Sequence, residues 1–216
     1  YIYSVPLGET NPAPQLVTAL QVDTSSNCTT EVTDLELGAG KIWATLSASC
    51  VYASAGTTSY TYLGGLFSCA PSGSCNTVYY GEKGNSWGLS YDPDDNLVFA
   101  SQVSHSNTSG ATGLIQVVSA DSNSLGTPMN SGSLGTGFAS DDLGLPGFPQ
   151  NALLYAGGYL FVGTGNCDSA ACNSLFRCAV GGAPGGCVQV KLNCDSAGSC
   201  QGAQSLAYIA TVNYPF

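Results

Sequence analysis

Short runs of apolar residues alternate with turns along the whole chain. No stretch places apolar residues at helical spacing over three turns, and 28 glycines and 10 prolines interrupt the pattern every few residues. The runs between these turns are rich in aromatic and β-branched residues, which favour strands. The pattern predicts an all-β protein of many short strands.

The predicted strands recur in a fixed order. One motif has two large apolar residues, then a small residue and a hydroxyl residue. It occurs at Lys41–Thr45, Leu97–Ser101 and Leu160–Thr164, with a looser copy at Tyr1–Ser4. Each complete copy follows a strand and a tight turn, and these preceding strands are Asp34–Leu37, Gly88–Tyr91 and Ala152–Tyr155.

Two further strands follow each copy of the motif. The third strands are predicted at Leu16–Leu20, Leu66–Cys69, Leu114–Val117 and Leu175–Cys178. The fourth strands are predicted at Thr30–Val32, Thr77–Tyr80, Thr127–Met129 and Val188–Val190. Four-stranded units that repeat every 40 to 50 residues or so are typical of β-propeller blades. We therefore predict one domain over residues 1–216, a four-bladed β-propeller, with an extracellular β-sandwich as the alternative.

The two ends of the chain complement each other in this scheme. The unit that begins at Tyr1 lacks a first strand, and Ser205–Ala210 has the pattern of one. This arrangement resembles β-propellers in which one blade takes strands from both termini, and it implies a final blade built from about residues 205–212 and 1–32. Closure removes two exposed sheet edges. Closure within one chain costs less entropy than association, and completion of the blade by a neighbouring molecule is the other arrangement.

The resemblance to propellers is architectural. The turn from Asp92 to Leu97 resembles the Asp-Pro-Asp-Gly-Asn turns of many propellers. The chain has no hemopexin signature, no Trp-Asp repeat and no kelch double glycine in register. The resemblance therefore supplies no catalytic or binding residues.

The ten cysteines predict a set of disulfides. Short Gly/Ser/Ala-rich loops favour four local pairs and leave one longer pair: Cys69–Cys75, Cys167–Cys172, Cys178–Cys187, Cys194–Cys200 and Cys28–Cys50. An even number of cysteines in a loop-rich chain indicates an oxidising compartment. A zinc site would need Cys-x-x-Cys spacing and histidines, and the chain has one histidine.

Composition and charge limit the compartment and the partners that we expect for this protein. Only 8% of the residues are charged, and the net charge is −10 with a pI near 4.1, which argues against binding nucleic acid or anionic membranes. The chain has no signal peptide, no initiating Met and no apolar run long enough to span a bilayer, so we expect a mature, secreted, extracellular protein. Two sequons, at Asn27 and Asn107, fit a glycoprotein.

The candidate chemical groups are sparse. Asp92, Asp94 and Asn96 are spaced like the first ligands of a calcium loop, but the later ligand positions do not fit, and a plain turn is the favoured interpretation. His105 lies in a polar loop without an orienting acid, and the adjacent Asp141 and Asp142 do not form an opposed acid/base pair. We expect no enzymatic activity, no cofactor and no bound metal.

Aromatic residues are the remaining candidates for binding. Trp43 falls within a strand at a position that fills the space between blades, so it is predicted to be core. Tyr52, Tyr60 and Tyr62 lie in a Gly/Ser/Thr-rich insertion between Cys50 and Leu66, where exposed rings can stack on sugars. Two functions follow. The first is a structural subunit of an extracellular coat, fibre or appendage, with copies of itself as partners. The second is a carbohydrate-binding (lectin-like) or protein-binding module.

Overall fold

The computed structural model describes residues 1–4, 13–18, 20, 28–54, 57–81, 85–104, 112–125, 138–139, 148–165, 175–180 and 187–190. These residues form an all-β fold without a helix. The strands are β1 (Ile2–Ser4), β2 (Gln15–Thr18), β3 (Cys28–Gly38), β4 (Lys41–Ser54), β5 (Thr57–Cys69), β6 (Cys75–Gly81), β7 (Asn85–Asp92), β8 (Leu97–Ser104), β9 (Thr112–Ser119), β10 (Phe138–Ala139), β11 (Phe148–Ala156), β12 (Tyr159–Gly165), β13 (Leu175–Ala179) and β14 (Cys187–Val190).

The strands form four antiparallel sheets in chain order. The first sheet contains β1 and β2, the second β3 to β6, the third β7 to β10, and the fourth β11 to β14. Within each four-stranded sheet, every strand pairs with its neighbours in sequence. Such meanders arise because short turns connect antiparallel strands directly. The predicted order of strands within the three later units is therefore present.

Consecutive sheets share hydrophobic cores. Ile2 of the first sheet packs with Leu46 and Phe67 of the second sheet. Trp43 of the second sheet packs with Val98 of the third sheet. The third and fourth sheets meet through a larger cluster: Leu97, Phe99, Ile115, Val117, Leu153, Leu160, Val162, Phe176 and Cys178. The second and third sheets are thus covered on both faces.

The first strands of the later sheets lie close together. β7 contacts β3 on one side and β11 on the other. Asp34 Oδ2 in β3 accepts a hydrogen bond from Leu89 N in β7 at 2.8 Å. Ser90 Oγ in β7 accepts one from Tyr155 N in β11 at 2.6 Å. These bonds link neighbouring sheets through their first strands.

The register corrects the predicted alignment of the repeat. Gly38 pairs with Lys41 across the first turn, and Ala156 pairs with Tyr159 across the corresponding turn of the fourth sheet. Tyr159–Gly163 is therefore equivalent to Lys41–Thr45, one residue earlier than the motif at Leu160–Thr164 predicted. Phe161 is then equivalent to Trp43.

Two predicted fourth strands differ from the structure. Thr30–Val32 does not close the first unit; it pairs with Leu46–Ala48 of β4 and continues through a bulge at Thr33 into Asp34–Leu37. The first sheet accordingly does not include residues 28–32. In the third sheet the strand next to β9 is Phe138–Ala139, while the predicted Thr127–Met129 lies outside the described residues.

The insertion between Cys50 and Leu66 is regular β structure. β4 and β5 pair continuously from Ile42↔Cys69 to Ser54↔Thr57. The predicted loop is therefore the far end of a long hairpin.

Candidate functional site

The motif hydroxyl has a structural role at a repeated bulge. In the second, third and fourth sheets the register between the first two strands shifts at the same place, between Val32 and Asp34, Ser86 and Leu89, and Pro149 and Leu153. A bulge leaves backbone groups without ladder partners. Ser101 Oγ accepts a hydrogen bond from Gly88 N at 2.7 Å, and Thr45 Oγ1 donates to Trp87 O at 2.9 Å. Both hydroxyls are buried and satisfy backbone groups of a bulge.

Two acidic residues of β3 lie beside this bulge. Burial raises the pKa of the Asp34 carboxyl, although the amides of Leu89 and Leu35 donate to it and oppose the shift. Burial also raises the pKa of Glu36, and the Asp34 carboxylate adds to that shift. The Asp34 carboxylate accepts hydrogen bonds from backbone amides of β3 and β7, so it links the second sheet to the third.

The candidate calcium ligands serve the turn instead. Asp92 is fully buried, and its Oδ1 accepts hydrogen bonds from Asp94 N at 2.8 Å and Asp95 N at 3.2 Å. Asp94 Oδ2 accepts from the hydroxyl of Tyr155 at 2.8 Å, and Asn96 Oδ1 accepts from the hydroxyl of Tyr91 at 2.7 Å. Among the described residues, no group of three or more His, Cys, Asp or Glu side chains is placed to hold a metal. The geometry is that of a hydrogen-bonded turn.

Asn96 also sets the backbone of this turn. Its φ is 56°, a left-handed conformation that Asn tolerates better than most residues.

Burial raises the pKa of the Tyr155 hydroxyl, and the nearby Asp94 and Asp92 carboxylates raise it further. The Tyr155 ring stacks on Phe99, with ring centroids 6.5 Å apart. The hydroxyl therefore acts as a neutral donor between the third and fourth sheets.

Lys41 forms a second link between sheets. Its ammonium group donates to Ala120 O and to Asn123 Oδ1, the latter at 2.8 Å, and lies 5.5 Å from the centroid of the Trp43 ring. These partners belong to the turn after β9, so one of the four basic residues of the chain joins the second sheet to the third. Trp43 itself is fully buried, and its indole N–H donates to Gly38 O at 3.1 Å.

The structure places the three candidate tyrosines on the far part of the long hairpin. Tyr52 pairs with Ser59, Tyr60 with Val51, and Tyr62 with Ser49. Tyr62 is half-buried, while the side chains of Tyr52 and Tyr60 lie outside the described parts of the structure. Tyr60 and Tyr62 are two residues apart on one strand, and Tyr52 is on the other. By this register Tyr60 and Tyr62 belong to one face of the hairpin, whereas Tyr52 belongs to the opposite face.

Three of the predicted disulfides are present. Cys28–Cys50 joins β3 to β4, Cys69–Cys75 joins β5 to β6, and Cys178–Cys187 joins β13 to β14. Each links directly paired positions, with Cα separations of 4.0, 3.9 and 4.1 Å. These disulfides indicate an oxidising, extracellular environment. Within the described residues no helix is long and apolar enough to cross a membrane.

Several predictions concern residues outside the described ranges. They are the pairs Cys167–Cys172 and Cys194–Cys200, the sequons at Asn27 and Asn107, His105, Asp141, Asp142, and the terminal strand at 205–212.

The largest unexplained feature is a set of three exposed apolar faces on the first, second and fourth sheets, which the sequence did not predict. Nine large hydrophobic side chains are exposed in the described part of the chain. Seven of them belong to these three faces. These are the outer face of the first sheet, the side of β3 that faces the first sheet, and the outer face of the fourth sheet: Tyr1, Tyr3, Leu16, Leu35, Leu37, Tyr159 and Val188. A signal in the sequence was the run of consecutive apolar residues in Tyr1-Ile2-Tyr3 and Tyr159-Leu160-Phe161, because a strand that is apolar on both faces needs a cover on each.

The first sheet also has an edge that no described strand covers. β1 pairs with β2 on one side, and no described strand pairs with its other side. An unpaired edge presents N–H and C=O groups to another strand. Together the edge and the three faces can accept a strand and a sheet face, from the same chain or from another.

No family model matches the chain, and no curated protein and no solved structure is significantly similar to it.

Proposed function

We propose that the four sheets are blades of a β-propeller. A two-sheet sandwich leaves one face of each sheet to solvent, whereas the second and third sheets here are covered on both faces. The contacts of β7 with both β3 and β11 support an inner position for the first strand of each sheet. The incomplete first sheet then marks where the ring closes.

We further propose that the protein is a non-enzymatic, secreted structural subunit of an extracellular coat, fibre or appendage. The observation that carries this proposal is the set of three exposed apolar faces, together with the edge of β1 that no described strand pairs with. Contiguous exposed apolar surface marks interaction sites in soluble proteins. Scarcity of charge and cross-strand disulfides fit a durable, closely packed assembly. Glycans on Asn27 and Asn107 would add solubility that the few charged residues do not supply.

Two ways of completing the blade have different consequences. Completion between neighbouring molecules makes a head-to-tail contact, which generates fibres or rings. Completion within one molecule leaves assembly to the surface beside the closed blade. In both cases the structural function requires a contact near the first sheet.

Light scattering on the native protein tests this function. We expect polymeric material. If neighbouring molecules complete the blade, the variant with Tyr3→Ser and Leu16→Ser should shift toward monomer, because it removes apolar contacts from the outer face of the first sheet. Val51→Ser, an exposed site on the β4–β5 hairpin outside the three apolar faces, is the matched control and should leave the size unchanged. A strictly monomeric native protein contradicts the proposal.

The second candidate is a lectin-like or protein-binding module. The long hairpin favours it because it places Tyr60 and Tyr62 two residues apart on one face. A glycan array is the direct test, with the variant Tyr62→Ala as control. Binding by a monomeric protein would favour this function, and no binding to any glycan would remove the carbohydrate-binding form.

A further inference from the structure

We infer that Ser205–Tyr208 forms the missing first strand and packs on the outer face of the fourth sheet of its own chain, with Tyr208 against Phe161. This inference rests on the propeller arrangement proposed above, but not on assembly. It defines the occupant of one of the three apolar faces.

The first strands carry a repeated four-residue motif. Gly88-Leu89-Ser90-Tyr91 and Ala152-Leu153-Leu154-Tyr155 both have a small residue, a leucine, a variable residue and a tyrosine. Ser205-Leu206-Ala207-Tyr208 has the same pattern. The register shows that the two described copies are equivalent, because Leu89 pairs with Ala100 and Leu153 with Val162 at matching positions after the turn.

The leucine of the motif packs on the preceding sheet. Leu89 is 2% exposed and lies in the core shared with Trp43 of the second sheet. Leu153 is 4% exposed and lies in the core shared with Phe99 of the third sheet. Leu206 is therefore expected to enter a core with Phe161, which is the equivalent of Trp43 and Phe99.

The tyrosine of the motif packs on the same preceding sheet, close to its turn. The Tyr155 ring stacks on Phe99 at 6.5 Å, and its hydroxyl donates to Asp94 in the turn. The Tyr91 ring lies so close to Gly38 that a β-carbon there would be 2.4 Å from it. By the same geometry Tyr208 contacts Phe161 and the turn at Gly157 and Gly158.

The outer face of the fourth sheet has the residues for this contact. Leu154, Phe161, Arg177 and Val188 form one row of directly paired positions across its four strands. On the third sheet, Leu97 and Phe99 are the equivalents of Tyr159 and Phe161. They are 6% and 0% exposed under the fourth sheet. On the fourth sheet, Tyr159 and Val188 are 38% and 59% exposed. Apart from Arg177, which lies over the Tyr159 ring, this face is apolar, and no described sheet packs on it.

The connection favours the chain's own segment. Residues 82–84 join the second sheet to the third, and residues 140–147 join the third to the fourth. Residues 191–204 separate β14 from Ser205. An extended chain spans about 3.3 Å per residue, so this connection easily reaches the adjacent position in the same molecule.

Photo-crosslinking tests both the surface and the connectivity. The variant Tyr208→p-benzoylphenylalanine keeps an aromatic ring at the position and is prepared with and without heavy-isotope label, and the two preparations are mixed before irradiation. We expect crosslinks from position 208 to Tyr159–Gly165 that carry a single label. Crosslinks to other strands, no crosslink to this strand, or crosslinks that carry both labels would overturn the inference. The same probe at Tyr62 is the control and should not react with Tyr159–Gly165.

A double-mutant cycle supplies a second readout. Tyr208→Ala and Phe161→Ala should each lower the melting temperature, and the double variant should lower it by clearly less than the sum, because contacting residues are coupled. Tyr208→Ala with Val51→Ala should be additive. Additivity of the first pair contradicts the contact. A monomeric native protein with the expected crosslink would reject the assembly function and leave this inference intact.

Discussion

At the scale of single residues, the hydroxyl of the repeat motif has a specific physical task. Ser101 accepts a hydrogen bond from the amide of Gly88, in a bulge where that amide has no ladder partner. The motif was visible in the sequence as a small residue followed by a hydroxyl residue. Its task was not, because the bulge that creates the need arises from pairing between strands.

We predict that Ser101→Ala lowers the free energy of unfolding by about 1 to 3 kcal/mol, since it leaves a buried N–H unsatisfied. Chemical denaturation measures the change. Ser122→Ala, in an exposed turn, is the control and should change stability by less than about 0.5 kcal/mol. Equal effects of the two substitutions would show that the bulge does not depend on the hydroxyl.

Glu36 gives a prediction for pH. Its pKa is raised in the folded state above the ordinary value of 4.5, so the folded protein binds the proton more tightly than the unfolded chain does. The stabilisation is present below pH 4.5 and is lost as the pH rises through the raised pKa. We expect Glu36→Gln to flatten this decline in melting temperature. Asp121→Asn, an exposed substitution, should leave the slope as it is, and an unchanged slope in Glu36→Gln would contradict the prediction.

At the scale of strands and hairpins, alternation and turns were enough to predict most strands but not their faces. Residues 160–164 matched the motif well, yet the structure aligns Tyr159 with Lys41 because both directly follow the turn. A shift of one residue exchanges the two faces of a strand. The faces were therefore fixed only by pairing across the turn.

The errors in the fourth strands have related causes. Thr30–Val32 looked separate from Asp34–Leu37, but a bulge at Thr33 joins them into one strand. β10 has two residues, too few for a recognisable alternation, and follows β9 after a long connection. The long hairpin of β4 and β5 was missed because its Gly, Ser and Thr residues are typical of loops as well.

Disulfides were the most predictable part of the candidate sites, because short loops restrict which cysteines can meet. The second and fourth sheets have the disulfides Cys69–Cys75 and Cys178–Cys187 at corresponding positions. In the third sheet, Val118 and Leu125 form an isolated bridge at that position. Position 118 is equivalent to 69 and 178 in the register. The third sheet therefore has only a backbone bridge at this position.

We predict different costs for two disulfides. The Cys28–Cys50 pair spans 22 residues and the Cys69–Cys75 pair spans 6, and each pair has one fully buried and one half-buried cysteine. The loop-entropy relation gives about 3 kcal/mol for the longer loop and about 2 kcal/mol for the shorter one. Chemical denaturation of the two double Cys→Ala variants checks the order. The reverse order would show that strain or contacts outweigh chain entropy.

At the scale of the whole molecule, the described structure has a two-stranded first sheet and three exposed apolar faces. Leu35 and Leu37 are 48% and 74% exposed, although Leu89 at the position of Leu35 is 2% exposed. The sequence predicted a missing strand. The sequence could not predict which exposed side chains the missing strand would cover, because that depends on how the sheets stack.

A completed blade predicts that an exposed leucine stabilises the fold. We expect Leu37→Ala to lower the free energy of unfolding by about 1 to 2 kcal/mol, because the added strand buries the side chain. Leu125 is 41% exposed in a turn outside the three apolar faces, so Leu125→Ala should lower the free energy of unfolding by less than about 0.5 kcal/mol. Thermal and chemical denaturation compare the two. A neutral Leu37→Ala would mean that nothing covers this face.

The placement of the cross-strand disulfides has one further consequence. A protease that cuts one peptide bond between Cys69 and Cys75, or between Cys178 and Cys187, cuts inside a covalently closed ring. Both new ends stay attached to adjacent strands that remain paired along the rest of the hairpin. A nick in either turn therefore releases no fragment, and the molecule keeps its shape after damage that would separate the pieces of an uncrosslinked hairpin.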